Sequence, residues 1–531
     1  MDQERKKLAR QSKNVIRQGS FLLFALSFAL LCFYQIVYYE TWIILCTIIG
    51  SGVVGFLLIR KTWEDVAGCI RAHRVFAFLC LCAALIIVKA MHLDRAARHM
   101  DLVLQPLPSL ELRLFRLRWM VFTIPAVFWL LVWVLRKVKG FFSSFWKGLG
   151  PADRKLYAGV TLLASAAVLI AYVVDSGWFL QDDHVYSIDS GFCFRYIFGS
   201  PSYYDIRHPV MSVVTFPLWA VIHTVLGGFV PANLLDALCA VCIQIVNIQM
   251  ILLVGFMIRE LSENRWVLPL YLASFPVLLF TMSLEKYPIV VFFLVLYIYR
   301  LCRGEKGPET GFVLAAGMMP TSAFLYVNEV ILKQPLREKL KRLLVIFVIG
   351  AVVLLCTGRT HLLYPPILLE QVSSMAGRFG IRGMALENCL FALTKMAHSI
   401  FFGLSSTAYE TRYFWTDVLE SPSVPGVAVF VVMALGAFVN RQDHFTRACA
   451  IWVGVSAVLF CAVQWSVDES PLFGLYFAWA FLPLFQKGVQ FILEKLRLNE
   501  RIAYGFLIAA MFVVNLSVLI DIGKFFRTIA F

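Results

Sequence analysis

Apolar residues run through this chain in long uninterrupted blocks separated by short basic stretches. Blocks near 21–38, 42–59, 75–91, 119–136, 156–174, 236–258, 266–282, 287–302, 343–357, 424–439, 448–464, 470–486 and 502–522 are repeatedly about 17–22 residues long. A helix rising 1.5 Å per residue crosses a hydrocarbon core of ~30 Å in that length. None of the blocks alternates with the period of two that a membrane barrel strand requires. The pattern predicts an all-α polytopic membrane protein of about 13 transmembrane helices.

Two further apolar runs do not fit as simple crossings. The segments "RELSENR" (259–265), "RLCRGEKG" (300–307) and "KQPLREKLKR" (333–342) are basic and belong on the cytoplasmic side. A full crossing at 210–226 would put Arg259 and Arg265 outside, and a full crossing at 311–332 would separate two basic loops. Both runs are therefore expected to be re-entrant or surface-lying, the second broken at Gly317, Pro320 and Thr321-Ser322. With the basic N-terminus inside, residues 175–208 and 358–423 become outer segments, and the turn "LEKYP" (284–288) faces the same side. The semi-apolar stretch 389–405, with Lys395 and His398, is expected to lie along the membrane interface. Residues 1–150 read as an appended module of four helices ending in a basic linker at 136–155; residues 151–531 read as the functional core.

Composition strengthens the membrane assignment and narrows the rest. The 531 residues are 60% hydrophobic and 15% charged, with mean hydropathy +0.77, whereas soluble domains are about a quarter charged. The net charge of +15 sits in loops between spans, where orientation rules and anionic headgroups account for it, so no nucleic-acid partner is expected. The first apolar run has span length and lacks a small-residue cleavage site, which reads as a retained helix rather than a signal peptide. Most cysteines lie inside apolar stretches; Cys193 alone falls clearly in a polar loop, and no disulfide framework is implied.

Candidate chemistry collects on the outer side. "WFLQDDHVYSIDSG" (178–191) brings Asp182, Asp183, His184, Tyr186 and Asp189 together after a span, and Asp182, Tyr186 and Asp189 would share one face if the stretch is helical. Paired carboxylates can bind a divalent cation, take a proton from a hydroxyl or hydrogen-bond a sugar. "SYYDIRHPVMSV" (202–213) fixes Arg207 and His208 just before Pro209, where an arginine fork suits a lipid phosphate or anchors the chain at the interface. "MSLEKYP" (282–288) adds Glu285, Lys286 and Tyr287 in a tight turn.

Taken together, these elements resemble the GT-C superfamily of integral-membrane glycosyltransferases, in the branch containing protein O-mannosyltransferases and lipid A aminoarabinose transferases. "QDDHVY" is similar to the acidic motif of the first outer loop, "RHPVM" to a basic-Pro-Pro element with Val210 at the second proline, and Glu285 to a later outer acid. "GFVLAAGMMPTS" echoes a broken helix pair, with Ser322 in place of lysine. The resemblance covers roughly 156–360. It implies a GT-C-like bundle that moves a sugar from a polyprenyl-phosphate donor to a glycan, lipid or protein acceptor at the extracytoplasmic face. Asp182 or Asp183 would be general base or metal-linked acid (Mg or Mn), with Glu285 a further catalytic acid. Arg207 or His208 would lie near the donor phosphate, and His184, Tyr186, Asp189, Lys286 and Tyr287 would contact substrate. The expected location is a bacterial inner membrane. A polymerase or ligase of another membrane fold, a lipid-linked glycan flippase or transporter, and a non-enzymatic scaffold are the alternatives.

Overall fold

A computed structural model describes the chain apart from residues 1, 37–39, 92–108, 175–187, 202, 306, 332–334, 379–385, 404–405, 409–412, 416–421, 464–469 and 530–531. Among the described residues the regular secondary structure is helical except for one short antiparallel pair, Ser406–Ala408 with Tyr413–Trp415. Among the described residues eight helices are long and apolar enough to cross a membrane: Val15–Tyr34, Thr41–Ala72, Leu117–Gly148, Pro151–Tyr172, Ala232–Ser262, His444–Cys461, Ser470–Leu496 and Glu500–Phe525. Shorter apolar helices cover Met211–Gly227, Tyr287–Cys302, Cys389–Phe401 and Val424–Val439. This is a multi-pass membrane protein.

Helices Ala232–Ser262, Tyr287–Cys302 and Ser470–Leu496 form its centre and are apolar on nearly every face, whereas outer helices leave large apolar side chains such as Leu162, Leu163, Phe506 and Val513 uncovered. A lipid solvent favours that distribution and leaves close packing to bring helices together. Helices Val424–Val439 and Ser470–Leu496 show how close: a Cβ on Gly436 would lie 2.1 Å from the Leu484 carbonyl oxygen, and one on Gly488 2.0 Å from that of Val432. The N-terminal helices have apolar clusters of their own, one around Phe24, Phe28, Val66 and Trp129 and another around Tyr34, Val88 and Trp119. The second also takes in Phe216 and Ala220 of helix Met211–Gly227.

Three segments differ from the pattern read along the sequence. The run 266–282 is two helices, Val267–Ala273 and Phe275–Met282, because Pro276 has no N–H and its ring excludes a continuous turn; Ser274 is extended, with φ −69° and ψ 147°. The basic stretch at 136–148 is no linker but the end of the 40-residue helix Ser109–Gly148, whose last carbonyls accept from the Arg154 guanidinium at 3.0 and 3.3 Å. Only Leu149 and Gly150 separate it from helix Pro151–Val174. Helix Leu386–Phe401 does not lie on the surface: Thr394, Lys395, Met396, Ala397, Ser399 and Ile400 are all buried. Helices Val424–Val439 and Ser470–Leu496 pack against it, and the Lys395 ammonium lies 4.5 Å from the Phe391 ring centroid.

Candidate functional site

Glu285 and Lys286 occupy the turn between helices Phe275–Met282 and Tyr287–Cys302, and both are buried. The Glu285 carboxylate accepts from the Asp189 backbone N–H at 3.0 Å with one oxygen. Its other oxygen accepts from the Lys286 N–H at 3.1 Å, the Lys286 ammonium at 3.3 Å and the Cys193 thiol at 3.2 Å. Asn247 donates to the Glu285 carbonyl at 2.9 Å, and Gln244 donates to Phe280 and Thr281 at 2.6 and 2.8 Å, so the turn's carbonyls are satisfied from the middle of helix Ala232–Ser262. Burial, and then Glu285, push the Cys193 pKa well up, which keeps it a thiol. Burial opposes the Lys286 charge, yet the negative field of the Cys193 and Glu285 positions holds its pKa well above the usual lysine value. With Cys193 neutral, the Glu285 carboxylate is the partner that sustains the ammonium.

The turn is recessed. Arg259, paired through both guanidinium nitrogens with Asp153 at 2.6 and 2.7 Å, marks one end of the bundle. Asn247 lies twelve residues, or about 18 Å, above Arg259, while Ala232 lies about 22 Å higher still. Glu285 thus sits well below the tops of its neighbours, and Asp189 reaches down to the same level. Ser190–Phe192 and the wider-wound turn Cys193–Phe198 follow, anchored where Thr215 donates to the Ile197 carbonyl at 2.6 Å.

Residues 203–211 form the neighbouring wall. Arg207 is partly exposed and grips Asp205 through Nε and Nη2 at 2.9 and 2.6 Å. Asp205 remains below the usual carboxylate range despite its burial because of those bonds. His208 is buried, with Nδ1 2.9 Å from the Met318 carbonyl; a carbonyl only accepts, so Nδ1 carries the proton. Burial, aided by the Lys286 charge, pushes the His208 pKa down to about 3. His208 is therefore a neutral imidazole at ordinary pH and brings no cation to the site.

Met318 ends helix Glu309–Met318; Met319 is extended and a 3-10 turn follows over Pro320–Tyr326. The broken end is completed by the 203–211 wall, since the Val210 N–H donates to the Gly317 carbonyl at 3.0 Å. A proline at 210 would have no hydrogen to give. Ser322, buried, lies 2.7 Å from the Tyr476 hydroxyl, and Thr321 lies 3.1 Å from it.

Arg359 locks the wall to the rest of the molecule. It is fully buried and donates to the carbonyls of Pro209 at 3.0 Å, Tyr203 at 3.0 Å, Thr357 at 3.1 Å and Gln35 at 2.7 Å, with Tyr204 under its guanidinium at 5.2 Å. Gly358 permits the approach: its φ is +67°, and a Cβ there would stand 2.3 Å from the Gln35 carbonyl carbon.

Asp189, Glu285, Lys286 and Tyr287 thus meet in one cluster, with Arg207 and His208 on the adjacent wall at the same end of the bundle. Asp182, Asp183, His184 and Tyr186 lie outside the described residues. Asp189 itself is not helical, with φ −102° and ψ 55°, and the helix begins at Ser190. Among the described residues there is no group of three or more His, Cys, Asp or Glu arranged to hold a metal ion. Sequence reasoning passed over Gln244, Asn247 and Arg359, and noted Cys193 only as a cysteine in a polar loop. Two amides three apart in the middle of an apolar run were the available signal for the first two, since lipid-embedded amides need partners. Comparison with known protein families, curated proteins and solved structures finds no match for this chain.

Proposed function

We propose that this protein is a membrane glycosyltransferase of GT-C type, with about 13 crossings and re-entrant segments at 211–227 and 309–331, that transfers a sugar from a polyprenyl-phosphate donor on the extracytoplasmic side of a bacterial inner membrane. The observation that carries the reading is the recessed polar cluster: Glu285 holds the Asp189 backbone, Lys286 is kept charged beside it, and Arg207 stands partly exposed on the adjoining wall. Lys286 and Arg207 are the cations that a lipid-borne phosphate entering the recess between the helices would meet. Glu285 has both oxygens engaged, so its part is to position the acidic segment. The proton-accepting role falls to Asp182 or Asp183, seven and six residues before the held Asp189. A divalent cation, if the reaction uses one, would be bound by the same two aspartates.

The test is transfer from a radiolabelled polyprenyl-phosphate sugar by the full chain in native-lipid vesicles, with Asp182→Asn and Asp183→Asn beside the parent. Loss of a general base lowers turnover by about 10²–10⁴-fold. Wild-type turnover in both variants would overturn the assignment, and movement of intact donor across the bilayer without sugar release would identify a flippase instead.

A further inference from the structure

At the opposite end of the N-terminal helices lies a cavity of about 970 Å³ that the proposed reaction does not use. Arg71, His73 and Arg74 enter it from the turn between helices Thr41–Ala72 and Arg74–Ala90, while Arg136 and Lys139 enter from helix Ser109–Gly148. Among the described residues no carboxylate lines it. Asp65 pairs with Arg136 at 3.5 Å and Glu64 with Arg17 at 3.3 Å. The Arg17 contact also places this cavity on the side of the basic N-terminal stretch. Gln35, bound to Arg359 beside the candidate site, follows the far end of the helix that carries Arg17, about 27 Å away.

Basic residues at the ends of spans are ordinary orientation signals. Here the cations converge from two helices and a turn on one half-open space, and one wall is apolar: Val75 and Leu79 line it and remain uncovered. A soluble anion would use the cations and leave that wall bare. A phospholipid uses both, with its phosphate among the guanidinium forks and an acyl chain along Val75 and Leu79. The volume is at the upper end of the range for small-molecule sites. We infer that this cavity binds the headgroup of an anionic phospholipid from the leaflet on that side.

The full-length protein is placed in nanodiscs of phosphatidylcholine with limiting phosphatidylglycerol, and bound phosphatidylglycerol is measured by native mass spectrometry. Combining Arg71→Gln, Arg74→Gln and Lys139→Gln should weaken retention on the order of 100-fold, at about 1 kcal/mol per cation. Gly140→Trp keeps every charge but fills the cavity, because nothing lies within 4 Å of a Cβ there, and it should lower retention by about tenfold. Lys495→Gln combined with Arg497→Gln and Arg501→Gln, on exposed positions elsewhere, should leave it unchanged. An equal loss in that control, full retention in Gly140→Trp, equal retention of phosphatidylcholine, or displacement by inorganic phosphate would each overturn the assignment.

Discussion

Two helices of this protein are broken by proline, and they are finished in opposite ways. At Ser274–Pro276 the gap is closed by one buried amide: Asn515 donates to the Ala273 and Phe401 carbonyls at 2.9 and 3.0 Å and accepts from the Gly403 N–H at 2.8 Å. Phe275 fills the space against Gly403. At Met319–Pro320 the gap is closed by the wall of the candidate site, through His208 and Val210. The first break is a fixed joint within the core. The second ties a helix end to the loop that carries Arg207, so a change there reaches the site.

Variants can break that distinction, and the largest effect is expected from the buried ion pair. Glu285→Ala strands the Lys286 ammonium in the interior, which costs about 3–5 kcal/mol; a melting temperature within a few degrees of the parent in the same detergent would contradict the burial and pairing described above. Asn515→Leu orphans the groups around the first break and should cost about 2–4 kcal/mol, while activity per folded molecule stays near that of the parent. A selective loss of turnover in a stable Asn515→Leu protein would erase the contrast between the two breaks.

Val210→Pro removes the bond to Gly317 and should cost about 1–2 kcal/mol, with turnover falling more than stability explains. Parent-like donor turnover would detach the second break from the site. Acid adds a finer probe. The native His208 stays neutral down to about 3, whereas an unfolded histidine takes up its proton near 6.5. The unfolded state therefore binds more protons between those values, and stability present above pH 6.5 is lost on the way down, by at most about 1.4 kcal/mol per pH unit. His361, pushed down to about 4 by burial and by Arg359, adds to the same slope. His208→Gln should flatten the slope without abolishing it; an unchanged slope would sink the neutral-imidazole assignment. The smallest stability change, under about 1 kcal/mol, is expected for Arg207→Lys, because its pair with Asp205 is half open to solvent. Its donor affinity should nevertheless fall by about tenfold if the planar fork grips phosphate.

Much of this architecture was legible along the chain. Long apolar runs announced the helices because a bilayer removes every alternative for backbone hydrogen bonds. The placement of Glu285 on the side of residues 189–208 followed from counting loop charges. The break at Pro320 was readable from its own residues, and so was its counterpart at Pro276 in principle, since proline excludes a helix interior in either place. It was hidden by an apolar run of the right length. Helix Leu386–Phe401 misled for a related reason: Lys395 and His398 gave it the look of a surface helix, yet neighbouring helices cover it.

What the sequence determined by itself was the solvent and the helical class, because these depend on local composition. Partnership was decided by the tertiary structure alone. Asn247 meets Glu285, Arg359 joins Gln35 to Tyr203 and Pro209, and Val210 completes the end of a helix a hundred residues away. Those bonds form between groups that are strangers in sequence, since a buried polar atom takes whichever partner packing brings within about 3 Å.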